Sequence, residues 1–439
     1  KGLADSHALQ AYFNRRLEKL LEKHHRQMVG WDEIYHPDLP KSILIQSWQG
    51  QDALGDVAKH GYRGILSTGF YLDQPQYTAY HYRNEIIPQG LNGVDTITDS
   101  DSAQSWQFSM PRLKGSTVEG SFTLVKGDSG WRGFIDFKGK SRRAVQEIEW
   151  LGDNQVTFRV DTWMGETRPV LTINDDKLAG YFLLGNTRYP IDGKRLDAVP
   201  QGIQPTLPDA QQQNNLLGGE AALWAENVAA PVIDIKLWPR AFAVAERLWS
   251  AEDVKDSDNM YQRLQAMDNW STVSVGLQQH TQQLEQFTRL ANSSHTLALQ
   301  ILAEALEPAH YYTRQHLKFQ ANNYHQFEPL NRLADALPAE SDTVRSLNQW
   351  AERLISDAED TESADALRHV FTRWQNNSGD ALALTDNNYQ LAAIKPVVQQ
   401  VDKLASLGLR LTDLVARQGT LDDKEYASIQ AQLDTAAKT

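Results

Sequence analysis

The sequence predicts an α/β fold in which a parallel sheet is interrupted by a β-rich insertion and followed by a helical region. Strand-like runs alternate with helical patterns over residues 5–88 and again from residue 216, which is typical of a parallel sheet. Residues from about 90 to 200 carry short alternating runs divided by Gly, Asp and Asn, which indicates an antiparallel sandwich or barrel. From about residue 255 onward, apolar residues recur at helical spacing.

The first segment begins with a predicted amphipathic helix at 5–25, which Asp5 or Ser6 can cap. The elements that follow are strands at 27–31 and 42–48, a helix at 52–60 and a third strand at 62–73. The first two strands each end in an indole, and Gly61 is placed to close the helix.

The α/β pattern resumes after the β-rich stretch. Residues 216–224 are strand-like, and 236–250 are predicted to form one helix with Pro239 in its first turn. We therefore expect the β-rich stretch to be inserted into a loop of the α/β domain. The expected domains are a partial barrel at 1–88 with 215–255, an inserted β-rich domain at 89–214 and a helical region at 256–439.

Composition excludes several classes of protein. The 439 residues carry a net charge of −13 without a basic cluster, which disfavours nucleic-acid binding. There is no cysteine, so disulfides, thiol nucleophiles and cysteine metal sites are excluded. Neither a zinc-protease motif nor a complete calcium loop occurs, and we expect no metal and no cofactor. No apolar run reaches the roughly 18 residues of a membrane span.

Chemistry in a parallel barrel lies where strands end and loops begin. The side chains expected there are Trp31, Trp48, Tyr71, Asp73, Trp224 and Glu226. Tyr71 and Asp73 are two residues apart, as are Trp224 and Glu226, so each pair shares a face if its strand continues. Aromatic rings pack on the C–H face of a pyranose, carboxylates accept from its hydroxyls, and an aromatic box can enclose an acetamido methyl. The set therefore suits an N-acetylated sugar.

Each of these residues alone has a simpler interpretation. A tryptophan at the end of a strand most often belongs to the core, and the adjacent Asp32 and Glu33 most often begin a solvated helix. The long motif "GGEAALWAENV…KLWPRAFAVAERLWS" is different, because its length and composition are improbable by chance.

This motif, together with "GWDE", "IQSW" and "STGFYLD", resembles the second half of the catalytic barrel of family 20 glycoside hydrolases, the β-N-acetylhexosaminidases and chitobiases. The matches follow the family's order over about residues 5–85 and 215–275. The resemblance implies strands 5–8 of a (β/α)8 TIM barrel. It also implies an N-acetylglucosamine-containing glycan as the binding partner, and in particular chitin oligomers or related glycans.

The resemblance implies a role for each aromatic residue. Trp31, Trp48 and Trp224 match the three indoles that box the acetamido group, and Tyr71 matches the catalytic tyrosine that donates to the acetamido carbonyl. The implied mechanism is retaining and substrate-assisted, because the acetamido oxygen itself attacks the anomeric carbon.

The implied roles of the charged residues differ. Asp73 and Glu226 match carboxylates that hold sugar hydroxyls, whereas Arg240, Glu246 and Arg247 are interpreted as helix and framework ion pairs. Gly218, Gly219 and Glu220 are interpreted as strand-entry and framework residues.

The family's general acid, the Glu of a "GGDE"-type motif after the fourth strand, has no match in this sequence. Asp32–Glu33 stands on the next strand, where the family has an acidic pair without that role, so we do not expect it to be the dyad. Half a barrel leaves two sheet edges open. We expect the N-terminal half to exist as another chain or an upstream segment. Family habit suggests an exported bacterial protein. The main alternative is a non-catalytic N-acetyl-sugar binder; a helical scaffold is a weaker one.

Overall fold

The computed structural model describes residues 5–112, 115–185, 187–226, 228–308, 312–323 and 331–436. The strands are β1 Val29–Trp31, β2 Leu44–Ser47, β3 Arg63–Leu66, β4 Ser102–Met110, β5 Val118–Gly127, β6 Gly130–Phe137, β7 Arg143–Ala144, β8 Gln146–Trp150, β9 Gln155–Thr162, β10 Gly165–Asn174, β11 Lys177–Leu184, β12 Thr187–Leu196 and β13 Leu216–Gly219. The helices are α1 Ser6–Lys23, α2 Gln51–Lys59, α3 Thr78–Arg83, α4 Ala210–Gln213, α5 Ile233–Leu237, α6 Arg240–Trp249, α7 Ser257–Trp270, α8 Gln279–Ala291, α9 Leu297–Glu304, α10 Tyr312–Gln320, α11 Asp342–Ser356, α12 Thr361–Asn387, α13 Lys395–Ala416 and α14 Asp423–Ala436.

The chain divides into two compact units. The first comprises Lys1–Trp224, Pro239–Met267 and His310–Tyr324, and the second comprises Ala225–Trp238, Asp268–Ala309 and His325–Thr439. The first unit holds both sheets, and the second is helical. The predicted α/β class, with a β-rich stretch and a helical C-terminal region, is confirmed.

The first sheet is parallel throughout, with the order β1-β2-β3-β13. Its core joins apolar residues of β2, α2 and the connecting loops to Leu17 and Leu21 of α1. The buried members of this core are Met28, Leu39, Ile43, Ile45, Val57 and Tyr62. β1 and β13 lie at the two edges, and within the described residues neither has a partner on its outer side.

Two predicted strands are shorter than the sequence patterns suggested. β3 ends at Leu66 and β13 at Gly219, so Tyr71 and Trp224 lie beyond the regular strands. The chain turns at Gly69, whose φ of +84° is a backbone conformation that favours glycine. The condition for Tyr71/Asp73 and Trp224/Glu226 to share faces, that their strands continue, is therefore not met.

The predicted helix over 236–250 is also wrong in detail. It is interrupted at Trp238, which has extended backbone angles (φ −102°, ψ 147°) between α5 and α6. The cause is Pro239, because the ring of a proline disfavours the helical conformation in the residue before it. Pro239 therefore stands at the N-cap of α6 and does not lie inside one longer helix.

The nine-stranded sheet is antiparallel, with the order β7-β6-β5-β4-β12-β11-β10-β9-β8. β7 pairs with β6 at one edge and β8 pairs with β9 at the other, yet only Val145 separates β7 from β8 along the chain. One segment thus joins both edges, and the sheet curls into a nearly closed barrel. Of the two architectures the sequence allowed, a sandwich or a barrel, the structure has the barrel.

The interior of this barrel is strongly aromatic. Phe122 stacks on Phe158 with ring centroids 4.6 Å apart, and Trp106 stacks on Phe122 at 6.1 Å. All three rings are almost completely buried. Side chains alternate between the two faces of each strand, and these three rings lie on the inner face. They form a core for the β-rich region.

The helical unit packs around α12 and α13. Leu367, Phe371 and Trp374 of α12 share one core with Val398 and Ala405 of α13. Close approach of the two helices depends on Gly408 of α13, where a Cβ would overlap the Phe371 ring.

Candidate functional site

The candidate site forms beyond the ends of β3 and β13, where the two chain segments stay paired. Tyr71 and Ala222 make a parallel bridge. The Leu72 N–H donates to the Ala222 carbonyl at 2.8 Å, and the Ala222 N–H donates to the Phe70 carbonyl at 3.1 Å. This pairing sets the loop that carries Tyr71 beside the loop that carries Trp224.

Three of the predicted aromatic residues form one cluster. The Trp224 ring centroid lies 5.9 Å from that of Trp31 and 6.4 Å from that of Tyr71, with the rings tilted by 44° and 50°. Trp224 keeps 44% of its surface exposed, while Trp31 and Tyr71 are partly buried. Aromatic surface is therefore held in a fixed arrangement and remains open to a ligand.

Asp73 is tied to the same cluster. Its side chain is buried, and its Oδ1 accepts from the Trp224 backbone N–H at 3.3 Å. The hydrogen bond joins the two loops, so the carboxylate and the indole keep a constant separation. A buried carboxylate beside exposed aromatic rings is suited to accept hydrogen bonds from sugar hydroxyls.

The acid pair that follows Trp31 holds Trp48 rather than standing free. Asp32 Oδ2 accepts from the backbone N–H groups of Trp48 and Gln49, both at 2.8 Å. Glu33 accepts from the indole Nε1–H of Trp48 at 3.0 and 3.2 Å. Burial raises the pKa of Asp32, although the two backbone donors oppose the shift. The pair fixes an indole that is still 45% exposed.

Glu226 is exposed and belongs to the second unit. Its part in the site therefore stays a prediction of the sequence, whereas Trp31, Trp48, Tyr71, Asp73 and Trp224 are described within one unit.

Sequence reasoning missed how Arg240 acts. Its buried guanidinium donates to the Gln74 carbonyl at 2.8 Å and the Gln76 carbonyl at 3.1 Å, and it also bonds the Leu72 carbonyl. Arg240 therefore supports the framework by donating hydrogen bonds to backbone carbonyls of the loop that carries Tyr71. No sequence signal exists for such acceptors, because every residue has a carbonyl.

His81 also supports the loop that carries Tyr71. Its Nδ1 lies 2.6 Å from the Gly69 carbonyl, and its Nε2 faces Arg240 at 3.4 Å. Burial and, to a smaller extent, the Arg240 charge lower the pKa of His81 to about 3. A neutral ring with its proton on Nδ1 satisfies both contacts, since Nδ1–H donates to the carbonyl and Nε2 accepts from Arg240.

A polar layer lies inside the parallel sheet. Glu220 accepts from the Gln46 side chain and from the Ser67 hydroxyl, the latter at 3.2 Å. Its backbone N–H continues the pairing of β13 with β3 by donating to Leu66 at 2.9 Å. The framework interpretation of Glu220 thus corresponds to a network that links β2, β3 and β13.

Other kinds of site are not found in the described residues. In that part of the chain no group of His, Cys, Asp or Glu is arranged to hold a metal ion. Among the helices described, none is both long and apolar enough to cross a bilayer.

Comparison with known sequences gives consistent results. Residues 1–130 and 189–252 match the catalytic domain of glycosyl hydrolase family 20. The β-hexosaminidase of Porphyromonas gingivalis is 40% identical over 98 residues, covering 21% of this chain and 12% of that protein. The β-hexosaminidase subunit beta of Entamoeba histolytica is 36% identical over 260 residues, covering 59% of this chain and 29% of that protein.

A solved structure extends the likeness of the fold. The chain is similar to Flavobacterium johnsoniae chitobiase with a TM-score of 0.64 at 20% identity, covering 98% of this chain and 48% of that one. It therefore spans about half of that structure and less than a third of the relatives named above. The catalytic-domain match and these relatives confirm the resemblance of the chain to glycosyl hydrolase family 20.

Proposed function

We propose that this chain supplies the sugar-binding half of a β-N-acetylhexosaminidase active site, which hydrolyses terminal β-linked N-acetylhexosamine with retention of configuration. The observation that carries the proposal is the cluster of Trp31, Tyr71 and Trp224, with Asp73 tied to it by a hydrogen bond. This arrangement offers aromatic faces, a phenol and a carboxylate to a single hexose.

In the proposed reaction, the substrate's acetamido oxygen attacks the anomeric carbon as the glycosidic C–O bond breaks. A general acid protonates the departing oxygen, and an oxazolinium ion forms. Water then attacks the same carbon, loses a proton to the same enzyme carboxylate and restores the acetamido group. The two inversions give net retention.

Tyr71 and the indoles prepare the nucleophile. The aromatic walls confine the acetamido group, so that its oxygen is held near the anomeric carbon, a proximity effect worth several kcal/mol. The Tyr71 hydroxyl donates to that oxygen and stabilises the charge that develops on the amide. Trp48, fixed by Asp32 and Glu33, completes the proposed box.

Asp73 and Glu226 are proposed to accept hydrogen bonds from the hydroxyls of the terminal sugar. The burial of Asp73 and its bond to the Trp224 N–H suit a carboxylate at the closed end of a pocket for a terminal sugar. Chitin oligomers and related glycans are the proposed substrates. The names of the chitobiase and β-hexosaminidases similar to this chain support that choice.

The general acid and its Asp partner are proposed to lie outside this chain, on an N-terminal half-barrel. Asp32 and Glu33 are occupied in holding Trp48, which argues against their use as the acid dyad. Exposed apolar side chains occur at both ends of the parallel sheet, where the other half would pack. They are Val29 of β1 and Leu217 of β13.

The direct test is release of a chromophore from an aryl β-N-acetylglucosaminide by the full-length protein, with the anomer of the first product observed by NMR. The proposal expects the β-anomer to appear first and no turnover of the matching aryl β-glucoside, which lacks the acetamido group. Equal turnover of both glycosides would contradict substrate assistance.

The second candidate is a non-catalytic binder of N-acetyl sugars. It is favoured by the engagement of both carboxylates of the acid pair with Trp48. Saturable binding of N-acetylglucosamine in calorimetry, with no chromophore release by the full-length protein, would select this candidate.

A further inference from the structure

The loop that carries Tyr71 and Asp73 has little regular structure of its own. It leads from the end of β3 at Leu66 to the start of α3 at Thr78 through turns and the Tyr71–Ala222 bridge. Its conformation must therefore be set by contacts with other elements.

One such contact comes from the nine-stranded barrel. The turn between β9 and β10 reaches the loop, and the Gln76 side-chain Nε2 donates to the Met164 carbonyl at 3.1 Å. Gln76 is only 3% exposed. The next residue of the turn, Gly165, has a φ of +127°, and a Cβ there would overlap the Gln76 amide. The turn is thus shaped to accommodate this one side chain.

The turn is itself rigid. The Thr162 hydroxyl donates to the Gly165 carbonyl at 3.0 Å and accepts from the Met164 N–H at 3.1 Å. The buried Tyr80 hydroxyl donates to the Thr162 carbonyl at 3.0 Å. These bonds fix the turn relative to α3, which directly follows the loop.

A partly buried charge network makes a second connection between α3 and the barrel. Arg83 of α3 bonds Asp161 at 2.9 and 3.0 Å and also pairs with Glu166. These two carboxylates flank the turn in sequence. Charge pairs of this kind have a defined geometry because both partners lose freedom when they are buried.

Arg240 holds the loop on its other side, through the carbonyls of Leu72, Gln74 and Gln76. Gln76 is therefore the residue that receives both supports. Its carbonyl is bound by Arg240 and its side chain is bound by the barrel turn.

We propose that the Met164–Gly165 turn is a positioning device for the site, and that Gln76 transmits its position to the Tyr71 hydroxyl. In this view the β-rich barrel contributes to the reaction by fixing the loop and does not itself contact the glycan. The inference rests on the proposed function, because it assigns the device to the hydrolysis of N-acetyl glycosides.

The test compares Gln76→Ala and Gly165→Ala with the matched control Gly130→Ala in the full-length protein. Gly130 lies in the β5–β6 turn with a similar φ of +108°, but nothing lies within 4 Å of a Cβ built there. We expect kcat for an aryl β-N-acetylglucosaminide to fall at least about tenfold in the first two variants, because a misplacement of about 1 Å can cost about 100-fold. The control should stay within about twofold.

Two double variants separate positioning from general damage. Adding Gly165→Ala to Gln76→Ala should cost little more, because the overlapping amide has been removed. Adding Gln76→Ala to Tyr71→Phe should change kcat by less than about twofold, because the hydroxyl to be positioned is already absent. If Gly165→Ala alone does not fold, its effect is measured in the Gln76→Ala background.

The outcomes are distinct. If the wild type turns over substrate but Gln76→Ala keeps kcat within about twofold, the inference is overturned while the proposed function stands. The inference is also overturned if Gln76→Ala lowers kcat equally with and without Tyr71→Phe. A wild type that neither hydrolyses the glycoside nor binds N-acetylglucosamine overturns both.

Discussion

The two sheets of this chain differ in whether their edge strands are paired. In the nine-stranded antiparallel sheet, one segment pairs through β7 at one edge and through β8 at the other, so the sheet nearly closes on itself. In the four-stranded parallel sheet, β1 and β13 remain at the edges of the described structure. Unpaired edges expose backbone donors and acceptors and invite further strands.

The exposure of apolar side chains also differs between the two sheets. Phe122 and Phe158 are completely buried in the closed barrel, whereas Val29 and Leu217 at the open edges are about half exposed, at 51% and 49%. The candidate site nevertheless lies on the open sheet. The comparison teaches that the antiparallel sheet pairs nearly all of its edges within itself, while the sheet that bears the candidate site leaves both edge strands open in the described residues.

The largest expected effect is on the closed barrel. Phe122→Ala should lower the free energy of unfolding by about 3–5 kcal/mol, because the stacked Phe158 ring would face a cavity. Urea denaturation followed by circular dichroism measures it. Leu151→Ala, at a residue 47% exposed on the same barrel, is the control and should stay within about 0.5 kcal/mol.

Tyr71→Phe tests the open sheet's part in catalysis. We expect kcat to fall by about 100- to 1,000-fold with KM nearly unchanged, because the hydroxyl's hydrogen bond strengthens in the transition state. Steady-state kinetics of the full-length protein measure this. Tyr389→Phe, at a side chain 88% exposed in the helical unit, is the matched control. A rate within about twofold of wild type would remove Tyr71 from the mechanism.

Trp224→Ala should raise KM for N-acetyl substrates by roughly tenfold, since it removes an aromatic wall and its contacts with Trp31 and Tyr71. Calorimetry with N-acetylglucosamine and with glucose separates recognition of the acetamido group from general loss of the pocket. An equal loss for both sugars would indicate collapse of the cluster.

The pH dependence of stability tests the loop support. The pKa of His81 is lowered from 6.5 to about 3 by burial, so the folded protein resists a proton that the unfolded chain accepts. The stabilising contribution is complete above pH 6.5 and is lost as the pH falls toward 3. The loss should reach about 1.4 kcal/mol by pH 5.5. Denaturation of wild type and His81→Asn between pH 5 and 7.5 should show a flatter profile for the variant; parallel profiles would contradict this pKa.

The smallest effect is expected at the open edge. Val29→Ala should change the stability of this chain alone by less than about 0.5 kcal/mol, because the side chain is already half exposed. In a protein with both barrel halves the cost should rise to about 1 kcal/mol, because the methyl groups would then be buried. The same small value in both proteins would argue against a second half packing on β1.

Much of the fold was predictable because apolar periodicity is a local property. The alternating runs of the β-rich region and the helical spacing after residue 255 follow from which face of each element is buried. The ends of the strands and helices were harder to predict from the sequence. The stop at Leu66 depends on the turn at Gly69, and the break at Trp238 depends on Pro239, a local signal that the helical pattern around it obscured.

The sequence by itself determined the α/β class, the inserted β-rich region and the aromatic and acidic residue types of the site, because side-chain chemistry and apolar period are encoded residue by residue. Only the tertiary structure decided that the inserted sheet closes through Val145, that Asp32 and Glu33 hold Trp48, and that Arg240 and the Met164–Gly165 turn hold the Tyr71 loop. The physical reason is that most of these hydrogen bonds end on backbone carbonyls or N–H groups, which every residue carries, and therefore leave no mark in the sequence.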